Sequence, residues 1–160
     1  MSRRIRRAAP QDAAAIAEMI HALAAFEHAA DQCSVTETQI AAALFDEPPT
    51  VHGHVAELDG EVAAMALWFL NFSTWDGAAG IYLEDLFVRP KFRRRGLARA
   101  LMGALAAECL QRGYTRLSWA VLNWNADAIA LYDGIGGEPL NEWTTYRLSG
   151  APLAALAESP

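Results

Sequence analysis

Residues 82–99 read YLEDLFVRPKFRRRGLAR, and the rest of the chain is arranged around this stretch. Residues 81–88 form an apolar run rich in strand formers, interrupted by two adjacent carboxylates, Glu84 and Asp85. Pro90 ends the predicted strand because proline has no backbone donor and disfavours helix in the residue before it. A basic turn with one glycine follows at residues 93–96. The pattern predicts a central strand that runs into a charged turn.

From Leu97 the apolar residues recur with helical spacing, which predicts a helix over residues 96–112. A helix N-terminus offers backbone N–H groups without helix partners and a partial positive charge, so it favours phosphate. Gly96 lets the backbone approach a ligand closely, and the arginines add charge and forked donors. The order strand, basic turn, helix therefore predicts an anion, specifically a pyrophosphate, on residues 93–99.

Length and composition bound the remaining possibilities. A chain of 160 residues is most simply one domain, and 53% hydrophobic residues are enough to build a core. No apolar run reaches the roughly 20 residues of a membrane span, and no apolar segment follows the basic N-terminus as in a secretory signal. Cys33 and Cys109 lack metal-site spacing. We expect a cytoplasmic protein without a disulfide and without a membrane partner.

Charge is distributed unevenly along the chain, whose formal net charge is −6. Residues 8–88 contain 13 acidic residues and no lysine or arginine, whereas residues 89–99 contain six basic residues and no acidic one. An acidic surface that only confers solubility is one interpretation. The other is a pair of ligands of opposite sign, an anion on the basic turn and a cation near the acidic half. The basic segment is short and lacks interleaved aromatics, so nucleic acid is not expected as a partner.

The remaining chain predicts an α/β fold of order βααβββαβαβ, a mixed sheet flanked by helices. We expect an edge strand near the N-terminus, two helices, a hairpin turning at Asp59-Gly60, and a loop before the central strand. A further strand and a short helix that begins after Asn125 follow the central helix. The predicted bounds are strands at 3–8, 51–58, 61–72, 81–88, 116–122 and 142–148, a loop at 71–80, and a loose tail at 151–160.

Two motifs resemble those of the GNAT acetyltransferases. Residues 93–98 (RRRGLA) are similar to the acyl-CoA signature of that superfamily, and Asn125, Ala128 and Tyr132 are similar to its later cofactor motif. Further similarity at residues 26–27, 82–88, 121–125 and 131–132 points to the branch that acetylates diamines, the spermidine/spermine and thialysine acetyltransferases. The resemblance implies a GNAT-like, mostly antiparallel sheet in one domain, usually a homodimer, with acetyl-CoA as cosubstrate and a small cationic amine as acceptor.

The resemblance also implies roles for individual residues. Substrate contacts would come from the first helix, the central strand and two later positions: Phe26, Glu27, Glu84, Asp85, Trp119 and Glu142. Cofactor contacts would come from the end of the central strand, the basic turn and the later motif: Leu86, Phe87, Val88, Arg93, Arg94, Arg95, Gly96, Leu97, Ala98, Arg99, Asn125 and Ala128. Amides near residues 86–88 would polarise the acetyl carbonyl if the strand is irregular and separates from its neighbour, neither of which a sequence shows.

The chemistry predicts two catalytic residues. An amine attacks a thioester only as the free base, so a base must remove a proton from the ammonium, and Glu84 is the candidate, directly or through water. Glu84 as a buried structural carboxylate is the alternative. Strand alternation would direct Asp85 to the opposite face, so we rank it below Glu84. Tyr132 has the position that supplies a proton to the leaving thiolate in the resembled family; an ordinary core tyrosine is the alternative.

Other activities remain open at this point. Acetylation of protein N-termini or lysines would need a peptide groove beside Glu84, and a non-catalytic acyl-CoA-binding module would need neither Glu84 nor Tyr132. A Rossmann domain is disfavoured because the turn lacks the first glycines of its fingerprint. His52 and His54 share one strand face, but no third ligand is evident, so we expect no metal.

Overall fold

The computed structural model describes residues 2–159, which fall into two compact units, one ending at Ala126 and one beginning at Asp127. The prediction of a single domain for the whole chain stays a prediction. Among the described residues, no helix combines the length and the apolar character that crossing a membrane requires.

The first unit contains a sheet and three α-helices that match the predicted order. Asp59 and Gly60 both have positive φ and form the tight hairpin turn that was predicted. The strands are β1 (Arg3–Arg7), β2 (His52–Leu58), β3 (Glu61–Ser73), β4 (Ala78–Val88) and β5 (Leu117–Trp119), and the helices are α1 (Ala13–Phe26), α2 (Glu37–Phe45) and α3 (Leu97–Arg112).

The five strands lie in the order β1-β2-β3-β4-β5. Strands β1 to β4 pair with one another in antiparallel fashion, and β5 is parallel to β4. The predicted α/β class, a mostly antiparallel mixed sheet flanked by helices, is confirmed. The predicted loop at residues 71–80 is shorter than expected, because β3 and β4 continue their pairing to Ser73 and Ala78.

The core lies on both faces of β3. On one face Met65 and Leu67 pack with Ile16 and Met19 of α1 and with Leu44 of α2. On the other face α3 contributes the buried side chains Leu97, Leu101, Met102, Leu105 and Cys109. The pattern with spacing of four that predicts this helix is therefore its buried stripe.

Edge strand β1 is held by a charged cluster. The Arg6 guanidinium donates to Asp12 at 2.7 and 3.0 Å and to Glu57 at 2.6 and 2.9 Å. Burial alone would raise the pKa of Asp12, but hydrogen bonds from Arg6 and from the Ala9 amide hold it below its usual value. Arg6 thereby joins β1 to β2 and to the turn before α1.

The second unit differs most from the expectations. It contains most of α4 (Ala126–Gly134) and α5 (Gly150–Glu158). Residues 142–148, predicted as a strand, have no strand pairing, and residues 150–158 are helical where a loose tail was predicted. Aromatic and β-branched residues at 143–146 give the segment strand propensity, but propensity produces a strand only where a partner strand is available.

Candidate active site

A β-bulge interrupts β4 at the two carboxylates. Leu67 of β3 pairs with Asp85 and the next residue, Trp68, pairs with Leu83, so Glu84 has no counterpart on β3. An extra residue breaks the alternation of side chains between the two faces of a strand. The expectation that Asp85 lies on the face opposite Glu84 assumed a regular strand; at the bulge, both residues line the same cavity.

That cavity has a volume of about 420 Å³ and lies within the first unit. Glu84 and Asp85 supply the charged groups among its lining residues, which include no basic side chain. Its walls come from α1, α2, their connection and the two neighbouring strands, and they are mainly apolar: Ile20, Cys33, Val35, Ile40, Ala43, Leu44, Val51 and Leu67. The cavity combines aliphatic walls with two carboxylates, which suits an alkylammonium group.

The two carboxylates have different surroundings. Glu84 is exposed, whereas Asp85 is half-buried. Burial, together with the negative charges of Glu84 and Glu27, raises the pKa of Asp85 to about 6. Burial also raises the pKa of Glu27 at the end of α1. The charge of Glu27 thus acts on Asp85, and the role of Glu27 in substrate binding remains a prediction.

The parallel strands β4 and β5 pair only over a short distance. Ile81, Tyr82 and Leu83 pair with residues 117–119, and β4 then continues to Val88 while β5 ends. Residues 86–88 pair with β3 on one side only within the part of the chain that the structure describes. The bulge is one irregularity that the predicted role of Leu86, Phe87 and Val88 requires, and the end of the β4–β5 pairing leaves these residues without a strand partner on that side within residues 2–159.

The basic turn directly before α3 contains residues with positive φ. Arg94 has φ 64° and Gly96 has φ 74°, so both are left-handed. Left-handed residues in a turn bring successive N–H groups to one side, and α3 adds the N–H groups of its first turn, at Leu97, Ala98 and Arg99. A left-handed arginine costs on the order of 1–3 kcal/mol, a strain that recurs at ligand sites. The turn has the geometry and charge that fit a pyrophosphate.

Several basic side chains of this segment contact other parts of the protein. Arg89 forms an ion pair with Glu18, and Lys91 forms one with Glu61. The Arg93 Nε donates to the Val88 carbonyl at 3.2 Å, and its guanidinium lies over the Phe26 and Phe87 rings at 5.3 and 5.8 Å. Arg93 thus links the turn to β4 and α1, a contact that the predicted anion-binding role did not include.

An aromatic group that the sequence motifs did not assign lies at the end of α1. The Trp124 ring is 5.6 Å from Phe26 and 5.4 Å from His28, between ring centroids. Glu27 lies between these two residues in the chain. Trp124 therefore connects the segment after β5 to the end of α1. In the sequence, its position next to Asn125 was the signal that could have identified it.

The remaining predicted residues lie on β5, on α4 and beyond. Trp119 pairs with Leu83 across the parallel strands, and Asn125 directly precedes α4. Ala128 and Tyr132 lie on α4, one turn apart, so the helix predicted from this motif is present. Glu142 is exposed in the second unit. The roles of these five residues in binding or catalysis remain predictions.

The cavity walls carry no signal in the sequence. Ile20, Ile40 and Val51 belong to the same apolar pattern that builds the core, so periodicity cannot separate a cavity wall from packing.

His52 and His54 contact Trp68: His52 stacks on its indole at 4.5 Å, and the His54 Nδ1 accepts from its Nε1 at 3.0 Å. No group of three or more candidate metal ligands occurs among residues 2–159.

Comparison with known proteins agrees with this geometry. The acetyltransferase (GNAT) family matches residues 17–136. The thialysine N-epsilon-acetyltransferase of Caenorhabditis elegans is 41% identical over 152 residues, which cover 93% of each chain. The Bos taurus protein of the same name is 35% identical over 96% of each chain. The L-ornithine N5-acetyltransferase of Arabidopsis thaliana is 29% identical, over 98% of this chain and 88% of its own.

A solved structure is also similar. An integron cassette protein from the mobile metagenome of V. cholerae superposes with a TM-score of 0.82 at 26% identity, over 99% of both chains. Because the family match spans residues 17–136 and a relative that is 41% identical covers nearly the whole chain, this protein is an acyltransferase enzyme of the GNAT acetyltransferase family.

Proposed function

We propose that this enzyme transfers the acetyl group of acetyl-CoA to a primary amine of a small cationic substrate, a diamine, polyamine or thialysine-like amine, by direct attack in a ternary complex. The observation that carries the proposal is the bulge at Glu84. It places two carboxylates in one cavity with aliphatic walls. A small molecule with an ammonium group on an aliphatic or thioether stem matches that cavity in size and charge.

The residues of the turn and of β4 fit acetyl-CoA. Its pyrophosphate would lie on the amides from Arg94 to Arg99, since Gly96 has no side chain and the backbone there is left-handed. Its pantetheine amides would pair with the one-sided edge of β4 at residues 86–88, as an added strand does. When bound, acetyl-CoA supplies a thioester whose carbonyl carbon is the electrophile.

The chain's own groups would perform three tasks. Carboxylates of the cavity hold the ammonium and remove one proton, which leaves the nitrogen lone pair free to attack. A backbone N–H near Leu86 or Val88 stabilises the negative charge that develops on the carbonyl oxygen. Tyr132 donates a proton to the sulfur as the C–S bond breaks. Neither cysteine takes part, because attack within a ternary complex needs no acyl-enzyme.

The choice of acceptor is supported by the relatives. Proteins named for thialysine and for L-ornithine acetylation match nearly the whole chain. Both names describe amino acids with a terminal amine on a short stem. We further infer a homodimer, supported by apolar side chains exposed in the second unit. We also infer a reducing cytoplasmic setting, supported by the free thiols of Cys33 and Cys109.

A panel assay tests the proposal. CoA release from acetyl-CoA is measured with thialysine, ornithine, lysine, putrescine, spermidine, an aminoglycoside and a short peptide. We expect turnover on the small amines. Turnover on the peptide alone would contradict the substrate assignment, and silence on all of them with tight acetyl-CoA binding would favour a binding module.

Tyr132→Phe tests the acid. We expect about 10²–10⁴-fold lower kcat, the usual contribution of a general acid, with acetyl-CoA affinity near that of the wild type. Tyr114→Phe, which removes a hydroxyl from the loop after α3, serves as the control and should keep kcat. Wild-type turnover in Tyr132→Phe would remove Tyr132 from the mechanism.

A further inference from the structure

The ranking of Glu84 above Asp85 from the sequence assumes that side chains alternate regularly along the central strand. The bulge gives them different positions. Asp85 stays in register opposite Leu67 and is half-buried, whereas Glu84 is the extra residue and is exposed. Glu84 also lines a second depression with Val51, His52, Phe69 and Leu70, so it borders both.

The surroundings of Asp85 suit a group that exchanges a proton near neutral pH. The charged groups that act on it are Glu84 on its own strand and Glu27 from α1, both negative. The walls near it are apolar, including Leu67, Val51 and Ile20. Burial, then Glu84, then Glu27 raise its pKa to about 6. Negative neighbours and low solvation both favour the protonated carboxyl.

Proton removal from an alkylammonium with a pKa near 10.4 is more efficient when the acceptor is a stronger base than an ordinary carboxylate. The acceptor must also remain largely ionised at the working pH. A carboxylate whose pKa is about 6 satisfies both conditions at neutral pH. An exposed carboxylate at the cavity edge is better suited to attract and hold a cation than to bind its proton.

We propose that Asp85 is the residue that takes the proton from the attacking amine, and that Glu84 holds the substrate ammonium at the mouth of the cavity. This inference rests on the proposed function and reverses the roles that sequence reasoning assigned. Asp85 is then a catalytic residue, and Glu27 tunes it from α1.

The step balances in protons and electrons. The ammonium gives one proton to the Asp85 carboxylate, and the nitrogen lone pair forms the C–N bond to the acetyl carbon. The C–S bond breaks, and its electron pair leaves with the sulfur. The nitrogen loses a second proton, and the sulfur gains one proton from Tyr132, so these two changes cancel. Asp85 then releases its proton to solvent. The products are an N-acetylated amine, CoA and one free proton.

The test is the pH dependence of kcat/KM in the wild type, Asp85→Asn and Glu84→Gln, from pH 5 to 9 with one accepted amine. The wild type should lose activity in acid with a midpoint of about 6. Asp85→Asn should lower kcat by about 10²–10⁴-fold and abolish that acid limb. Glu84→Gln should raise KM, keep the limb, and move it to lower pH, because a negative charge next to Asp85 is removed. Glu37→Gln, exposed in the first turn of α2, is the control and should leave the limb in place.

The opposite pattern would overturn the assignment. If Glu84→Gln abolishes the acid limb, or leaves its midpoint unchanged, Asp85 is not the proton acceptor. The Glu84→Gln result decides the question even if Asp85→Asn does not fold. Acetyl-CoA affinity and melting temperature are measured for each variant. Absence of wild-type turnover on every amine would refute the proposed function, whereas wild-type turnover with an acid limb insensitive to both substitutions refutes only this inference.

Discussion

Gly80 shows how one missing side chain sets the approach of two strands. A Cβ built on Gly80 would lie 2.8 Å from the Asn71 Oδ1 and 3.0 Å from the Arg116 carbonyl oxygen. That carbonyl accepts the hydrogen bond of the Ile81 amide at 2.9 Å, at the start of the parallel pairing. A methyl group at residue 80 would therefore push β5 away from β4.

Gly80→Ala should lower the free energy of unfolding by about 1–3 kcal/mol, as overpacking usually does. Gly103→Ala is the matched control: Gly103 lies in α3, and a Cβ there meets nothing within 4 Å. The control should raise the free energy of unfolding by roughly 0.5–1 kcal/mol, because alanine is the better helix former. Urea unfolding measures both. Equal stability of Gly80→Ala and wild type would show that β5 does not depend on this close approach.

At the scale of elements, a layer of polar and aromatic side chains joins three strands to α3. His54 of β2 is buried, 6% exposed, and accepts from the indole of Trp68 on β3. Arg7 of β1 lies 4.9 Å above the same indole and forms an ion pair with Glu108 of α3. Burial, followed by the charge of Arg7, lowers the pKa of His54 to about 4, and Glu108 opposes this shift. The imidazole is therefore neutral in the folded protein at neutral pH.

This layer predicts a loss of stability in acid. The pKa of His54 is about 6.5 unfolded and about 4 folded, so the unfolded state binds the proton first as the pH falls. Its contribution is complete above pH 6.5 and declines between pH 6.5 and 4, by about 3 kcal/mol in total. The raised pKa of Asp85 has the opposite effect, because protonation there favours the folded state.

A variant comparison isolates the histidine. His54→Asn keeps an acceptor for the Trp68 Nε1 and removes the titration, so its free energy of unfolding should fall less steeply between pH 6.5 and 4.5 than that of the wild type. His21→Asn, at an exposed histidine on α1, serves as the control substitution. Parallel curves for His54→Asn and wild type, measured by urea unfolding, would contradict the prediction.

Elements were predictable where a local pattern determines them. The spacing of Leu97, Leu101 and Leu105 predicts α3, and Asp59-Gly60 predicts the hairpin turn. The bulge was not predictable, because it depends on which residues of β3 pair with residues 83–85, and sequence alternation assumes a regular strand. The segment at 142–148 was predicted wrongly, because strand propensity does not reveal whether a partner strand exists.

At the scale of the whole molecule, the feature that the sequence predicts is the uneven distribution of charge. Acidic residues of the first half do more than provide solubility: Glu18 and Glu61 pair with Arg89 and Lys91 of the basic segment, while Glu84 and Asp85 line the cavity. Part of the acidic half therefore neutralises the basic segment, and the cation expected near the rest remains a prediction. The acidic cavity would attract a cationic acceptor, and the basic turn would attract an anionic cosubstrate. Both encounter rates would therefore be higher at low ionic strength.

The proposed homodimer is the prediction for the assembly. Trp143 is 69% exposed and Tyr146 is 91% exposed in the second unit, within a segment that has no strand pairing. Aromatic side chains are enriched in protein interfaces, and large exposed ones bury much apolar area when a partner covers them.

Light scattering after size exclusion should give about twice the chain mass of 17.4 kDa. The double variant Trp143→Ser, Tyr146→Ser should contain a larger fraction of monomer than the wild type. That fraction should rise as the protein is diluted. Trp75→Ser removes an aromatic side chain that is 86% exposed in the first unit, and it should leave the dimer intact. A dimer unaffected by the double variant would place the interface elsewhere, and a monomeric wild type at all concentrations would refute the assembly.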